Sequence, residues 1–188
     1  MLSSTLVVLA IVAGIAIYAI KIYNDLVRSR QMVKEGWSGI SVQLKRRFDL
    51  IPNMVEAVKG YLKHEREVLE NVTAARNQAQ AAGDANPGER GRAEGMLGAA
   101  LGRLLAVVEN YPELKANQNV MDLQGALKDI EDQIQMSRRY YNGAVRELNT
   151  AVEQFPSNIV ANMFHFETAE FFEIENPAER EVPKVSLG

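Results

Sequence analysis

The sequence contains no cysteine. Disulfides, thiolate metal sites and thiol nucleophiles are thereby excluded, which agrees with a reducing compartment. Histidine is scarce as well, with His64 and His165 the only two. His64-Glu65 opens like a helical zinc-protease motif, but the required second histidine is missing because position 68 is Val. His165, Glu167 and Glu170 are near enough in sequence to touch one cation, although residues of this kind in an acidic tail are usually just solvated. No glycine loop ends in a phosphate-binding Lys-Ser or Lys-Thr, and no serine lies in a nucleophile elbow. Basic residues are not interleaved with aromatics, and the formal net charge is only -3, so a nucleic-acid platform is not expected. The chain reads as a non-enzyme, with no catalytic residue, metal or cofactor and no nucleic-acid partner.

Charge is missing from one further place. Residues 2–20 carry no Asp, Glu, Lys or Arg, and a helix of that length crosses about 30 Å of hydrocarbon. A cleaved signal peptide ordinarily begins with basic residues and has a shorter apolar stretch before small residues. Here the apolar run continues into Lys21-Ile22-Tyr23, which favours a retained anchor. Lys21, Arg28, Arg30, Lys34 and Lys45-Arg46-Arg47 all follow the span, so the positive-inside rule places the larger part in the cytoplasm. Tyr18 and Tyr23 suit an interfacial belt near that exit. Ala10 and Gly14 have a small-residue spacing that supports helix association in lipid. The expected organisation is a transmembrane anchor over 1–23, a cytoplasmic helical bundle over 24–156, and a C-terminal helix with an acidic extended tail over 157–188.

Apolar residues recur at steps of three and four through most of the bundle. Val33, Trp37, Ile40, Leu44, Phe48 and Ile51 predict a first helix ending at Pro52. Asn53 followed by Glu56 has capping-box spacing, which predicts a second helix from Asn53 to about Ala82. Asn86-Pro87 with Glu89 opens a third. A connection through Asn117 leads to a fourth, whose seam from Val120 through Leu127, Ile134, Tyr141 and Leu148 to Phe155 is unbroken. The fold class is all-α: an N-terminal transmembrane helix, a long antiparallel helical bundle with supercoiled packing, and a short C-terminal tail.

Three features within the bundle stand out. Lys45-Arg46-Arg47-Phe48-Asp49-Leu50-Ile51-Pro52-Asn53 reads either as a capped turn between helices or as a docking corner for an acidic partner. Both ways of drawing the second helix's seam pass through Glu65, a carboxylate that needs a cation such as Arg76, Arg46, Arg47 or Arg138 if buried. Gly88, Gly91, Gly95, Gly98 and Gly102 line up on the third helix, although each interior glycine costs about 1 kcal/mol against alanine. Such a face admits another backbone, from a second helix of the same chain or from the next protomer. The candidate oligomer interface is therefore Ala10, Gly14, Gly91, Gly95, Gly98 and Gly102.

Further motifs carry a resemblance. Tyr23-Asn24-x-Leu26-Val27, Trp37-Ser38, Gln43-Leu44-x-Arg46-Arg47-x-Asp49-Leu50-Ile51-Pro52-Asn53, Val58-Lys59-Gly60-Tyr61, His64-Glu65 and Ala75-Arg76 resemble the LemA family. So do Tyr111-Pro112-x-Leu114-Lys115-Ala116, Leu123-Gln124, Glu131, Tyr141-Asn142-x-x-Val145, Phe155-Pro156 and Pro183-x-Val185. The likeness covers nearly the whole chain, apart from residues 77–103. Position 120 is Val where the family pattern has an aromatic. The resemblance implies a single-pass bacterial inner-membrane protein with a short N-terminus outside and a cytoplasmic helical bundle. It implies no enzyme activity, and it implies association with membrane remodelling or envelope stress, in some members near membrane zinc proteases. A magnetosome relative points to shaping or organising membranes. The family-motif and buried-charge candidates are Arg46, Arg47, Asp49, Pro52, Asn53, Glu65, Arg76, Tyr141 and Asn142.

The expected function is a membrane-anchored, self-associating helical scaffold that organises or shapes membrane, with itself and lipid as partners. The alternative is a non-enzymatic adaptor that recruits a membrane protease or an envelope-stress or signalling partner.

Overall fold

No proline precedes Pro52, and α1 extends over Leu2–Lys59. The coordinates are a computed structural model that describes residues 2–83 and 85–174, of residues 2 and 3 the backbone alone. The acidic positions Glu175, Glu179 and Glu181, and Pro177 and Pro183, lie outside the described residues.

The helix does not stop at Pro52, which lies inside α1. Proline removes the N–H that would bond the carbonyl four residues earlier and crowds that carbonyl, which ordinarily breaks a helix. Here the carbonyl of Phe48 accepts instead from Arg76 Nε at 3.2 Å, and the Arg76 guanidinium lies 3.6 Å from the Phe48 ring centroid. The apolar seam also continues past the proline, with Ile51, Met54 and Val58 all buried. Tertiary contact therefore supplies what the local sequence withholds. Asn53 is exposed within the helix rather than capping a new one.

The break falls instead at Gly60 to Glu65, where the N–H groups of Tyr61 and Leu62 both bond the Val58 carbonyl. The next helix, α2, spans Arg66–Ala81, and Glu65 is its N-cap residue with no side-chain cap bond. Glu65 is half-buried in this turn, so the continuous helical seam drawn through it is broken there.

The Asn86 side chain accepts from the Glu89 N–H and Pro87 begins α3, Pro87–Val108, as the sequence predicts. Pro112 opens the short α4, Pro112–Lys115. Asn117 Oδ1 then accepts from the Val120 N–H at 3.3 Å ahead of α5, Gln118–Glu153. Phe155-Pro156 follows its end, and α6 covers Ser157–Met163. No strand occurs among the described residues.

Contacts gather the chain into two units, and α1 and α5 contribute to both. One unit comprises residues 1–38 and 139–169. Its core is Leu26, Val160, Ala161 and Phe166, against which Ala19, Ile22, Tyr23, Ala151 and Val152 pack. Tyr23 meets Phe164 and Phe166 edge-on at 4.8 and 5.8 Å between ring centroids. Asn149 holds the backbone of Ala169 from both sides, donating to its carbonyl at 2.9 Å and accepting from its N–H at 2.7 Å. At Gly36 a β-carbon would lie 3.0 Å from the Tyr141 Cα, so the glycine permits the close approach of α1 and α5 there.

The other unit comprises residues 39–138 and, among the described residues that follow, 170–174. Its core joins Ile51, Met54 and Val58 of α1, Leu62, Val72 and Ala79 to Leu97, Leu101, Leu104 and Val108 of α3, with Leu114, Val120 and Leu127 completing it. The extended segment 170–174 belongs to this unit, and its Phe172 is fully buried.

Candidate functional site

Within the second unit, the α1 seam of Ile40, Leu44, Ile51 and Val58 includes a charged residue, Arg47, which is 2% exposed. The α3 seam of Leu97, Leu101, Leu104 and Val108 likewise extends back to a buried Glu94. The two meet: Arg47 Nη2 donates to Glu94 Oε2 at 2.5 Å and to the Glu94 carbonyl at 3.2 Å. Arg47 Nη1 donates to Glu131 Oε2 of α5 at 2.9 Å. Glu131 in turn accepts from Gln135 Nε2 at 3.0 Å and is 43% exposed. One guanidinium thus ties together three helices. Arg47 Nε is buried with no hydrogen-bond partner among the described residues.

A cleft of about 620 Å³ opens over this triad. Gly95, Gly98 and Gly102 line its α3 side, and Lys128, Gln135 and Arg138 its α5 side, with Ile174 also on the wall. The glycine stripe therefore divides along its length. A β-carbon at Gly91 would overlap the backbone carbonyl of Glu173, and one at Gly88 would overlap the Glu170 carboxylate. The backbone that approaches at Gly91 is the chain's own 170–174 segment, not a second helix. At Gly102, by contrast, nothing lies within 4 Å of a β-carbon, and Gly98 has only Arg47 Nη1 at 3.9 Å.

The remaining sequence candidates are dispersed. Arg46 and Asp49 are exposed, Asp49 pairing with Lys45 at 3.6 Å across one helical turn. Arg76 serves the Pro52 carbonyl gap rather than Glu65. Tyr141 is buried beside Trp37, ring centroids 5.4 Å apart, and the adjoining Asn142 is half-buried. The neighbouring Tyr140 hydroxyl lies 3.4 Å from a Glu35 carboxylate oxygen. Its pKa is pushed up, first by loss of hydration and then by that carboxylate. Ala10 and Gly14 are exposed on α1, with open space around Gly14. Sequence reasoning missed Glu94 as a buried charge, although the spacing 94–97–101–104–108 was there to find it.

The triad offers no nucleophile and no free acid–base pair, and no group of three or more His, Asp or Glu stands ready to hold a metal among the described residues. Its chemistry is positional: a buried ion pair of this kind is a weak source of stability but can fix register.

Residues 36–187 match the model of the LemA family. The chain belongs to the LemA family. Magnetosome protein MamQ 2 of Paramagnetospirillum magneticum is 29% identical over 91% of this chain and 71% of its own length. Magnetosome protein MamQ of Magnetospirillum gryphiswaldense is 27% identical over the same shares. Protein LemA of Metamycoplasma hominis is 26% identical over 73% of this chain and 63% of its own length. The family match takes in the Arg47, Glu94 and Glu131 positions of this LemA-family protein as well as Trp37 and Tyr141, but begins after the apolar first third of α1. That third holds the one stretch among the described residues long and apolar enough to cross a membrane, and it is almost wholly exposed.

Proposed function

We propose that this LemA-family protein is a membrane-anchored helical scaffold that self-associates on the cytoplasmic face of a bacterial inner membrane and organises or shapes it. The observation that carries the reading is the exposed, uncharged first third of α1, continuous with a helical body in which the buried Arg47–Glu94 pair is tied up in holding helices together. An apolar surface of that extent has no place in water and suits lipid. Lys21, Arg28, Arg30 and Lys34 are all exposed just beyond it, an arrangement that favours the cytoplasm for the body. Likeness to magnetosome proteins is the support for a membrane-organising role. Copies held on one surface gain effective concentration, so weak contacts at Ala10, Gly14 or the open glycines suffice for assembly.

A second reading, an adaptor that recruits a membrane protease or signalling protein, draws on the open cleft beside Gly98 and Gly102. Mass photometry and negative-stain imaging of full-length protein in detergent separate the two. Large regular particles are expected for the scaffold. Uniform monomers at all concentrations would remove it and leave the adaptor.

A further inference from the structure

Large apolar side chains scattered singly on a surface need no explanation, but a contiguous set does. In the first unit Phe155 is 75% exposed, Ile159 54%, Met163 68% and Phe164 51%. All four fall in the corner formed by the end of α5 and the short α6, and residues 154–164 of that corner contain no Asp, Glu, Lys or Arg. The opposite face of α6, Val160 and Ala161, is buried against Leu26, with Ala19, Ile22 and Tyr23 of α1 packed on the same cluster. The corner is thereby fixed at one level along the anchor helix.

That level is set by the span. At 1.5 Å per residue the uncharged stretch 2–20 measures about 28 Å, close to the thickness of a bilayer's hydrocarbon. Residues 19–27, and everything packed on them, then fall at its boundary. Tyr23 and Phe164, stacked edge-on at 4.8 Å, lie where aromatic belts form. Lys21 is exposed within that stretch and Arg28 and Arg30 just beyond it, where basic side chains suit anionic headgroups.

We infer that the α5–α6 corner is a second membrane contact: Phe155, Ile159, Met163 and Phe164 insert into the interfacial layer of the bilayer that α1 crosses. The occupant is lipid rather than a second protein because the patch joins the end of the apolar anchor through Tyr23 and Phe164 and lacks formal charge as the anchor does. A short interfacial helix of this kind contributes through buried apolar area. It also gives the first unit two points of attachment to the bilayer.

The inference rests on the membrane-anchored reading, and the test separates the two. The chain has no cysteine, so single Ile11→Cys, Ile159→Cys, Met163→Cys and Glu147→Cys variants of the full-length protein take one environment-sensitive fluorophore each. All four sites are exposed, and circular dichroism checks each variant's fold. In vesicles of phosphatidylethanolamine and phosphatidylglycerol, labels at Ile159 and Met163 should show blue-shifted emission. Nitroxide-bearing lipid should quench them and aqueous iodide should not. The label at Glu147 should behave in the opposite way, and that at Ile11 should be quenched by a nitroxide deep in the acyl chain. Iodide quenching at Ile159 equal to that at Glu147, with Ile11 still lipid-quenched, overturns the inference and leaves the anchor intact. Protection of Ile159 from both quenchers overturns it in favour of contact with another protein copy. Loss of lipid quenching at Ile11 removes the anchor and the inference together.

Discussion

Arg76 illustrates how much a single side chain decides. Its Nε meets the carbonyl that Pro52 leaves without a donor, and its guanidinium lies over the Phe48 ring. A buried acceptor left unpaired costs about 1–3 kcal/mol, and a cation over an aromatic face adds about 0.5–1 kcal/mol at an accessible site. Arg76→Ala should therefore lower the urea-unfolding free energy by about 1–3 kcal/mol. In a Pro52→Ala background an N–H again reaches the Phe48 carbonyl, so Arg76→Ala should cost visibly less there. Equal costs in both backgrounds would show that the arginine does nothing for the proline. Arg47 makes a different case. Replacing it by Met leaves Glu94 buried without a cation, and breaking a buried pair in this way costs about 3–5 kcal/mol. Glu131 is 43% exposed and keeps its water, so its share is small. Arg47→Met combined with Glu94→Leu should recover most of the loss, which the same unfolding curves measure.

The elements follow local signals wherever those signals agree with packing. The Asn86 cap, the Pro87 first turn, the helix start after Asn117 and the stop at Phe155-Pro156 were all legible, because each is settled within four residues. The α5 seam was legible too, with Val120, Leu127, Ile134, Tyr141 and Leu148 buried as its period requires. Only its last member, Phe155, faces outward. The boundary between α1 and α2 was not legible, because its decisive partner, Arg76, lies 28 residues from Phe48. The Arg47–Glu94 pair was hidden for the same reason: a single sequence shows seams but not which seam faces which. The glycine stripe was visible as a pattern, yet its two ends do different things. Gly91→Ala should push the 170–174 segment away from α3, since a methyl there meets the Glu173 backbone, at about 1–3 kcal/mol for such overpacking. Gly102→Ala meets nothing and should stabilise α3 by up to about 1 kcal/mol. Amide exchange over 171–174, faster in the first variant and unchanged in the second, distinguishes a packed glycine from an open one.

For the whole molecule, the proposed cytoplasmic placement depends on how charge is laid out around the uncharged first third of α1. The chain's formal net charge is only -3, so the proposed orientation rests on the basic flank beside the span. Lys21, Arg28 and Lys34 are exposed on α1 and available for that role. Arg30 also lies in the flank, but it sits 4.8 Å from the Phe166 ring centroid and contributes to packing. Changing Lys21, Arg28 and Lys34 together to Gln thus alters the topogenic charge while sparing that contact. With a Glu147→Cys reporter, a membrane-impermeant maleimide should leave intact spheroplasts unlabelled and should label them after permeabilisation. In the triple-Gln background a fraction should become labelled without permeabilisation, as the orientation loses its bias. Full labelling of intact spheroplasts with the three basic residues in place would put the body on the other side of the membrane. A scaffold acting from the cytoplasmic face could not then be the protein's role.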